Sequence, residues 1–327
     1  MLDAKHKGSY TVGMNKLDHA QRVQIVHLLV EGNSMRATAR LADVAFNTVA
    51  KLFIDIARMC ADYQDRTLRN LNSKTLQLDE IWSFAYSKAK NVPEGKQGQA
   101  GDIWTWVAID IDSKLVPSWR IGGRDSATAC EFVSDLAARL KNRVQITSDG
   151  HKPYLQAIEG AFGSEVDFVQ LIKIYGETVD GQKRYSSAEC IGADKSKVIE
   201  NPDMCCVSTS CVERQNLTIQ MSTRHFTPLT NVFSKKIENL VSSVALHYMH
   251  YNFCRIHKTL RGTPAMAAGV SDHIWTVDEI VGLVEQAVGH GLPDTDAGNA
   301  ADDVVQAFQM LHVHRRPDID AGVEEFV

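Results

Sequence analysis

Apolar residues near the start of the chain recur every three or four positions, which is typical of amphipathic helices. The pattern predicts three helices, over about 18–31, 34–42 and 46–59. Asp18 and Ser34 precede the first two, and their side chains can accept hydrogen bonds from helix N–H groups. The third helix has the clearest buried stripe, with the spacing i, i+3, i+4, i+7: Val49, Leu52, Phe53 and Ile56.

The second and third predicted helices have the pattern of a helix-turn-helix unit. Such a unit needs a small residue, a left-handed turn residue and a packed apolar residue, and Ala39, Asp43 and Val49 fall at those positions. Asp adopts the left-handed conformation more readily than most residues. We therefore expect a DNA-binding domain over 15–70; a three-helix bundle without DNA contact is the alternative. The side chains expected to face the DNA suit grooves and phosphates: Asn47, Thr48, Lys51 and Arg58.

From about residue 75 the pattern changes to β-prone runs separated by helical segments. Three strands that can form a meander are followed by alternating helices and strands, which predicts an α/β domain over 71–270 with a mixed five-stranded sheet and helices on both faces. Residues 174–207 are rich in Gly, Ser, Lys and Asp and are predicted to be an irregular insertion. The predicted strands cover about 76–86, 103–111, 115–122, 144–149 and 166–173, and the predicted helices about 126–141, 153–162, 208–220, 229–251 and 276–288.

Composition describes an ordinary folded chain. Of its 327 residues 44% are apolar and 23% charged. It has no run of about 18 apolar residues, so no membrane segment is expected. The N-terminus lacks the apolar core of a secretion signal, and the odd number of cysteines, 7, indicates a reducing compartment. A cytoplasmic location is expected, with residues 1–14 unstructured because they are polar and patternless.

The net charge of −5 and the pI near 6.2 argue at first against a nucleic-acid partner. The charge is unevenly spread, however. Residues 272–327 hold twelve acidic residues and only two arginines, and the segment 271–327 is predicted to be an acidic tail, helical or disordered. Residues 214–261 hold seven basic residues and one acidic one, which favours a surface that faces phosphates over a merely solvated helix face. Three of these bases are candidate DNA contacts: Arg224, Lys235 and Lys236.

Three carboxylates stand out by their context. Asp79 lies in the first strand, Asp149 ends the fourth, and Glu213 lies near the start of a helix. An unpaired charge in a buried strand is costly, and the first and fourth strands are neighbours in the predicted topology. Converging carboxylates repel each other and need a compensating cation, and their oxygen atoms favour Mg²⁺ or Mn²⁺. Two such ions are what phosphodiester cleavage uses, so two are expected. Taken singly, Asp79 could be a strand-end residue and Asp149 part of a plain turn.

Other motifs are absent or weak. The sequence contains no phosphate-binding loop of the G-x-x-x-x-G-K-[ST] type and no glycine-rich dinucleotide fingerprint after a strand. Cys205, Cys206 and Cys211 lie close together, but no second ligand pair at zinc-finger spacing accompanies them, so a structural zinc is not expected. These absences exclude the common nucleotide-binding classes and leave the carboxylates as the main candidate chemistry.

Four motifs carry a resemblance to a known family. They are LDEIWSF around Asp79, TSDGHKPY around Asp149, VERQNLTIQMSTRHFTPLTNVFSKK from Glu213, and YNFCRIHKTLRGTPAMAAG after it. With these motifs in this order, the chain resembles bacterial insertion-sequence transposases with an acidic-triad core of the ribonuclease H-like fold, in particular the insertion sequence one family. The resemblance covers about residues 15–270.

The resemblance implies metal-dependent DNA cleavage and strand transfer at the ends of an insertion sequence. It implies Asp79, Asp149 and Glu213 as catalytic ligands of two Mg²⁺ or Mn²⁺. The implied partners are double-stranded DNA, both terminal inverted repeats and target, and further copies of the chain on that DNA near the nucleoid. A catalytically inactive DNA-binding regulator and a metal-dependent nuclease without strand transfer are the alternatives. The further DNA contacts it implies are His151, Arg214, Asn216, Arg255 and His257.

Overall fold

The computed structural model describes residues 17–96, 100–176, 190–223 and 237–289. The segments 1–14 and 290–327, predicted as an unstructured N-terminus and most of an acidic tail, lie outside these ranges. Short 3₁₀ turns at Ala89–Asn91 and Met204–Cys206 and a π-helical turn at His250–Cys254 join the main elements. Those elements are α1 (His19–Val30), α2 (Met35–Leu41), α3 (Phe46–Thr67), β1 (Thr75–Ala85), β2 (Gly101–Asp110), β3 (Trp119–Gly122), α4 (Ser126–Arg139), β4 (Val144–Ser148), α5 (Pro153–Phe162), β5 (Val166–Tyr175), β6 (Cys190–Ile199), α6 (Ser210–Ser222), α7 (Ile237–Met249), α8 (Pro264–Ala267) and α9 (Val277–Gly289).

The strands form one mixed sheet in the order β3–β2–β1–β4–β5–β6. The first three strands form an antiparallel meander, β4 and β5 run parallel to β1, and β6 returns antiparallel to β5. The predicted α/β class with a mixed sheet and flanking helices is confirmed. The predicted count of five strands is wrong, because the structure has a sixth.

The sixth strand lies in the segment 174–207 that was predicted to be irregular. Its sequence, CIGADKSKVI, has no apolar alternation, and its residues are exposed or half-buried throughout. An edge strand that covers no core needs no apolar face, and lysines on such an edge are typical. Hydrophobic periodicity therefore gives no signal for β6, and pairing with β5 alone defines it.

The two faces of the sheet have separate cores. On one face, α4 and α5 pack over β1, β2 and β4 around Trp106, Phe132 and Tyr154. On the other, α6 and α7 pack around Val107 and Tyr248. Since strand side chains alternate between faces, neighbouring residues of the central strand β1 contribute to different cores.

The N-terminal helices share their core with the last helices of the chain. Asp18 and Gln21 form a capping box at α1, Ser34 caps α2, and the predicted stripe of α3 is buried. Asp43 has a φ of 51°, the left-handed conformation predicted for it. The core that contains Ile25 and Phe53 also contains residues of α7, α8 and α9, so it extends well beyond the three helices themselves.

Helix α9 packs against α1 and α3. Ile280 and Val281 on its apolar stripe are fully buried in the shared core. Polar contacts add to this packing, since the His19 ring of α1 lies 2.7 Å from Asp278 and 3.0 Å from Glu285. Within the described ranges, no helix has the length and apolar character needed to cross a membrane.

The third strand is shorter than predicted, and a buried asparagine explains why. The prediction began β3 at residue 115, whereas the structure begins it at Trp119. The side chain of Asn252 accepts a hydrogen bond from Val116 N and donates one to Val116 O, both at 3.0 Å. Because the backbone N–H and C=O of Val116 are both bonded to this side chain, they do not form backbone hydrogen bonds with β2. Asn252 is fully buried in the π-helical turn. Its two hydrogen bonds therefore connect that turn to the segment between β2 and β3.

Replacing Asn252 by Ala should lower the free energy of unfolding by about 2–4 kcal/mol, because it leaves a buried N–H and a buried C=O of Val116 without partners. Urea unfolding of the two purified proteins measures the difference. The control is Asn91→Ala, which removes an exposed asparagine and should change stability by less than about 0.5 kcal/mol. Equal effects of the two substitutions would show that the bonds to Val116 contribute little.

Candidate metal centre

The pairing of β1 with β4 brings two of the predicted carboxylates together. The strands are parallel, and their last paired residues are Leu78 and Ser148. The next residue on each strand is Asp79 and Asp149, so the register itself makes them neighbours. Asp79 is half-buried and receives the backbone N–H of Glu80 at 2.9 Å, while the Asp149 side chain is 36% exposed.

The side chain of Gln77 fixes helix α6 over this pair. Its amide oxygen accepts hydrogen bonds from the backbone N–H groups of Cys211 and Val212, at 2.8 and 3.0 Å. The first turn of a helix has N–H groups without partners inside the helix, and Gln77, which is 1% exposed, satisfies two of them. Gln77 precedes Asp79 by two residues and shares its face of β1. The start of α6 is thereby held over the face that carries Asp79.

Helix α6 brings two further polar side chains to the site. Asn216 donates from its amide to Asp79 Oδ2 at 2.7 Å. Glu213, one turn earlier in α6, lines a pocket together with Asp79 and is ion-paired with Lys173 of β5. The Thr209 hydroxyl also donates to Glu213. The pocket lined by Glu213, Thr209 and Lys173 has a volume of about 770 Å³ and contains all three predicted carboxylates: Asp79, Asp149 and Glu213.

The electrostatics of this pocket favour a bound cation. Burial, together with the nearby carboxylates of Asp149 and Glu213, raises the pKa of Asp79 to about 7, against the opposing effects of the Glu80 N–H and Lys173. A carboxylate that is costly to ionise alone is one that a nearby positive charge would stabilise strongly. The site therefore has an excess of negative charge that the cations beside it only partly compensate.

Glu80 is a fourth carboxylate of the site, and the sequence analysis missed it. Its side chain lies on the opposite face of β1 from Asp79 and is only 1% exposed. Burial raises the pKa of Glu80 to about 7, with a further contribution from Asp149, while Tyr154 and Arg124 act in the opposite direction. Glu80 Oε1 makes no hydrogen bond within the described structure. Two adjacent acids in a central strand must bury one on each face, and this is the signal that could have identified Glu80.

The donor set fits a hard divalent cation. One carboxylate oxygen each from Asp79, Glu80 and Asp149 lies within 4.8 Å of the others. Carboxylate oxygens suit Mg²⁺ and Mn²⁺. Glu213 lies across the same pocket, paired with Lys173.

His151 lies beside the metal-ligand candidates, as its position in the sequence led us to expect. Its backbone N–H donates to Asp149 Oδ1 at 3.0 Å, and its ring packs edge-on to Tyr154 at 6.0 Å. Burial, with a smaller effect of Arg124, lowers the pKa of His151 below its usual value, against the influence of Asp149. The imidazole is therefore neutral at pH 7.

The other predicted DNA contacts are dispersed. Asn47, Lys51, Arg214 and Arg255 are exposed, and Thr48, Arg58 and His257 are half-buried. Asn216 differs from these, because it is buried and its amide contacts Asp79. Arg224, Lys235 and Lys236 lie outside the described residues. Three basic residues that line the pocket were not predicted: Arg124, from the loop after β3, Lys152, directly before α5, and Lys173 of β5.

Comparison with known proteins gives little further assignment. No protein-family model matches the chain, and no curated protein sequence matches it. Among solved structures, it is similar to the piggyBac transposase in a synaptic complex with hairpin DNA, with 10% identity and a TM-score of 0.41. The similarity covers 89% of this chain and 75% of the piggyBac chain. At that level of similarity, a shared family is not established.

Replacing Gln77 by Ala should lower the free energy of unfolding by about 2–3 kcal/mol, because a buried and a partly buried N–H group of α6 lose their acceptor. Urea unfolding measures this loss. The matched control is Gln145→Ala on β4, whose amide also makes two backbone bonds, to Asp203, but at the protein surface. We expect the control to lose less than about 1 kcal/mol; a loss equal to that of Gln77→Ala would contradict a special role for the bonds to α6.

Replacing Asp79 by Asn should stabilise the metal-free protein, and more so at high pH. Because the folded-state pKa of Asp79 is raised, its contribution to stability is complete at low pH and is lost as the pH rises through about 7. An amide does not titrate, so the gain over wild type should be about 2 kcal/mol larger at pH 8 than at pH 5. Urea unfolding in EDTA at both pH values provides the measurement. A gain independent of pH would show that Asp79 ionises normally.

Proposed function

We propose that the protein is a DNA transposase of the insertion-sequence type, related to the insertion sequence one family. In this proposal it cuts DNA at the terminal inverted repeats of its element and joins the exposed 3′-hydroxyl to target DNA. The alternatives named above, an inactive regulator and a nuclease without strand transfer, share its DNA binding but differ in chemistry.

The observation that carries the proposal is the convergence of carboxylates in one open pocket. Asp79 and Asp149 are neighbours on adjacent parallel strands, and Glu213 comes from a helix packed over them. The strand order β3–β2–β1–β4–β5, with helices on both faces, supports a ribonuclease H-like core. An open pocket also suits a polymeric substrate better than an enclosed cavity does.

In the proposed reaction, Asp79, Asp149 and Glu213 would hold two Mg²⁺ or Mn²⁺. Such a pair would supply the activation of the attacking hydroxyl and the stabilisation of the leaving oxygen of a phosphodiester. The chain's own residues supply the rest. The neutral His151 beside Asp149 is able to orient an attacking water, and Lys173 lies where its ammonium group can meet a phosphate oxygen. Asn216 keeps the Asp79 carboxylate oriented through its 2.7 Å hydrogen bond.

The proposed DNA-binding surfaces lie on two parts of the chain. The α2–turn–α3 unit, with Asp43 in the left-handed conformation, supports a helix-turn-helix that presents Asn47 and Lys51 to the major groove. Arg214 and Arg255 are exposed on the catalytic side and suit backbone phosphates. Pairing of two DNA ends would bring together two or more copies of the chain.

Replacing Asp149 by Asn tests the proposal. We expect loss of Mg²⁺-dependent cleavage and strand transfer by at least 100-fold, because a ligand of the metal pair is removed, with DNA affinity changed less than threefold. The substrate is labelled DNA that carries the sequences flanking the gene, incubated with Mg²⁺ or Mn²⁺, and gels separate bound, cut and joined products. Asp112→Asn, at an exposed carboxylate outside the pocket, is the matched control. Wild-type cleavage by the Asp149 variant would refute the ligand assignment; binding alone, or cutting without joining, would identify one of the alternatives.

A further inference from the structure

We propose that Arg124 is a further catalytic residue, which binds a non-bridging oxygen of the scissile phosphate, and that Glu80 is the positioning residue that holds it. The inference rests on the proposed function, since it names the group that receives the phosphate in that pocket. Arg124 lies in the loop between β3 and α4 and lines the pocket beside Asp149 and Lys173.

The backbone around Arg124 is held on both sides. The carbonyl of Gly123 accepts a hydrogen bond from the Trp106 indole at 3.0 Å, and Asp125 caps α4 by accepting the Thr128 N–H at 2.9 Å. A Cβ at Gly122 would lie 2.5 Å from Cγ2 of Thr128, so the chain passes closely over the start of α4. The Cα of Arg124 is therefore fixed with respect to the sheet.

The side chain of Arg124 is held along one edge and one face. Its Nε is 3.2 Å from Glu80 Oε2, within hydrogen-bonding distance, and Glu80 is almost completely buried. The guanidinium carbon lies 4.7 Å from the centre of the Trp104 ring, a cation–π contact. These two contacts orient the guanidinium without using its terminal nitrogen atoms.

The outer edge of the guanidinium is directed at the candidate metal ligands. Its Nη2 is 3.7 Å from Asp149 Oδ2, too far for a hydrogen bond. Within the described parts of the chain, the only hydrogen bond of this side chain is the one to Glu80. Four N–H groups therefore remain on the terminal nitrogen atoms, in a planar arrangement that matches two phosphate oxygens. The side chain lines the pocket and is 40% exposed.

Arg139 shows how an arginine with a structural role differs. It bonds to Asp135 and Asp65 at 2.7–2.8 Å and to the carbonyl of Leu68 at 3.3 Å, so all three of its nitrogen atoms have partners. Its side chain is only 9% exposed. Among the described residues, Arg124 has one hydrogen-bond partner, and its outer edge lies at the pocket 3.7 Å from Asp149. This difference points to a ligand for Arg124 that neither Glu80 nor Asp149 supplies.

The experiment compares Arg124→Ala and Arg124→Lys in the full chain with Arg120→Ala, which removes a surface arginine paired with Glu131 at 3.3 Å. At saturating flanking DNA and Mn²⁺, the single-turnover cleavage rate should fall at least 100-fold in Arg124→Ala. Lys should restore it by less than tenfold, because an ammonium group cannot bind bidentately. The control should stay within twofold of wild type. A rate for Arg124→Ala within threefold of wild type would overturn the proposal.

The double variant Arg124→Ala with Glu80→Gln separates phosphate binding from charge compensation. Arg124→Ala alone leaves a buried carboxylate unpaired and can destabilise the fold, whereas the double variant removes both charges. The reference for the double variant is Glu80→Gln alone, because Glu80 also belongs to the candidate metal donor set. If Arg124 binds phosphate, the double variant keeps the melting temperature of Glu80→Gln but cleaves at least 100-fold more slowly than it. If the two cleave at the same rate, Arg124 only compensates Glu80 and the proposal is wrong.

A binding measurement keeps this test separate from the proposed function. Fluorescence anisotropy measures the binding of a labelled six-nucleotide oligothymidylate at low salt with Mn²⁺. We expect Arg124→Ala to bind it at least tenfold more weakly than wild type and Arg120→Ala to differ from wild type by less than twofold. If wild type cleaves no DNA, the transposase proposal fails, and this binding result alone decides the role of Arg124. Unchanged oligothymidylate affinity in Arg124→Ala would then overturn it.

Discussion

The candidate site depends on one buried amide. Gln77 accepts two N–H groups from the first turn of α6 and so joins the central strand to a helix more than 130 residues away in the chain. The strand pairing by itself brings only Asp79 and Asp149 together. The third carboxylate reaches the pocket because α6 begins where Gln77 fixes it, and Asn216 then closes the contact by bonding to Asp79. A neutral side chain thus positions the charged ones.

The charges of the site come from many elements and are only partly balanced. Carboxylates are contributed by β1, the end of β4 and α6, whereas the basic residues Lys173, Arg124 and Lys152 come from β5, the loop before α4 and the residue before α5. Arg124 and Lys173 each lie against a carboxylate at the edge of the group. Among the described residues, Asp79 has only the Asn216 amide and the Glu80 backbone N–H as hydrogen-bond partners. Burial, with the nearby carboxylates of Asp149 and Glu213, raises the pKa of Asp79, so a cation from outside the chain would stabilise its ionised form.

Parts of this arrangement could be predicted from the sequence, and the reasons differ by residue. Asp79 and Asp149 lie in or at the end of apolar strands that the predicted topology makes neighbours, so their proximity was predictable from that topology. Glu80 was also predictable in principle, since the strand is buried on both faces. Arg124 was not, because a loop residue carries no periodicity and its contacts depend on packing around Trp104. Strand β6 was missed for a similar reason: it has no apolar face, and its pairing with β5 is visible only in three dimensions.

The shared core of the N-terminal and C-terminal helices has a consequence for geometry. Helices α1–α3 are packed against α7 and α9, with Gln64 of α3 also bonded to the carbonyl of Ala245 in α7. If a DNA-binding unit were attached to the catalytic domain by a flexible linker, the distance between the bound sequence and the cleaved bond could vary. Under the proposed function, the packing of α1–α3 against α7 and α9 would instead fix the number of base pairs between the recognised sequence and the cleaved bond.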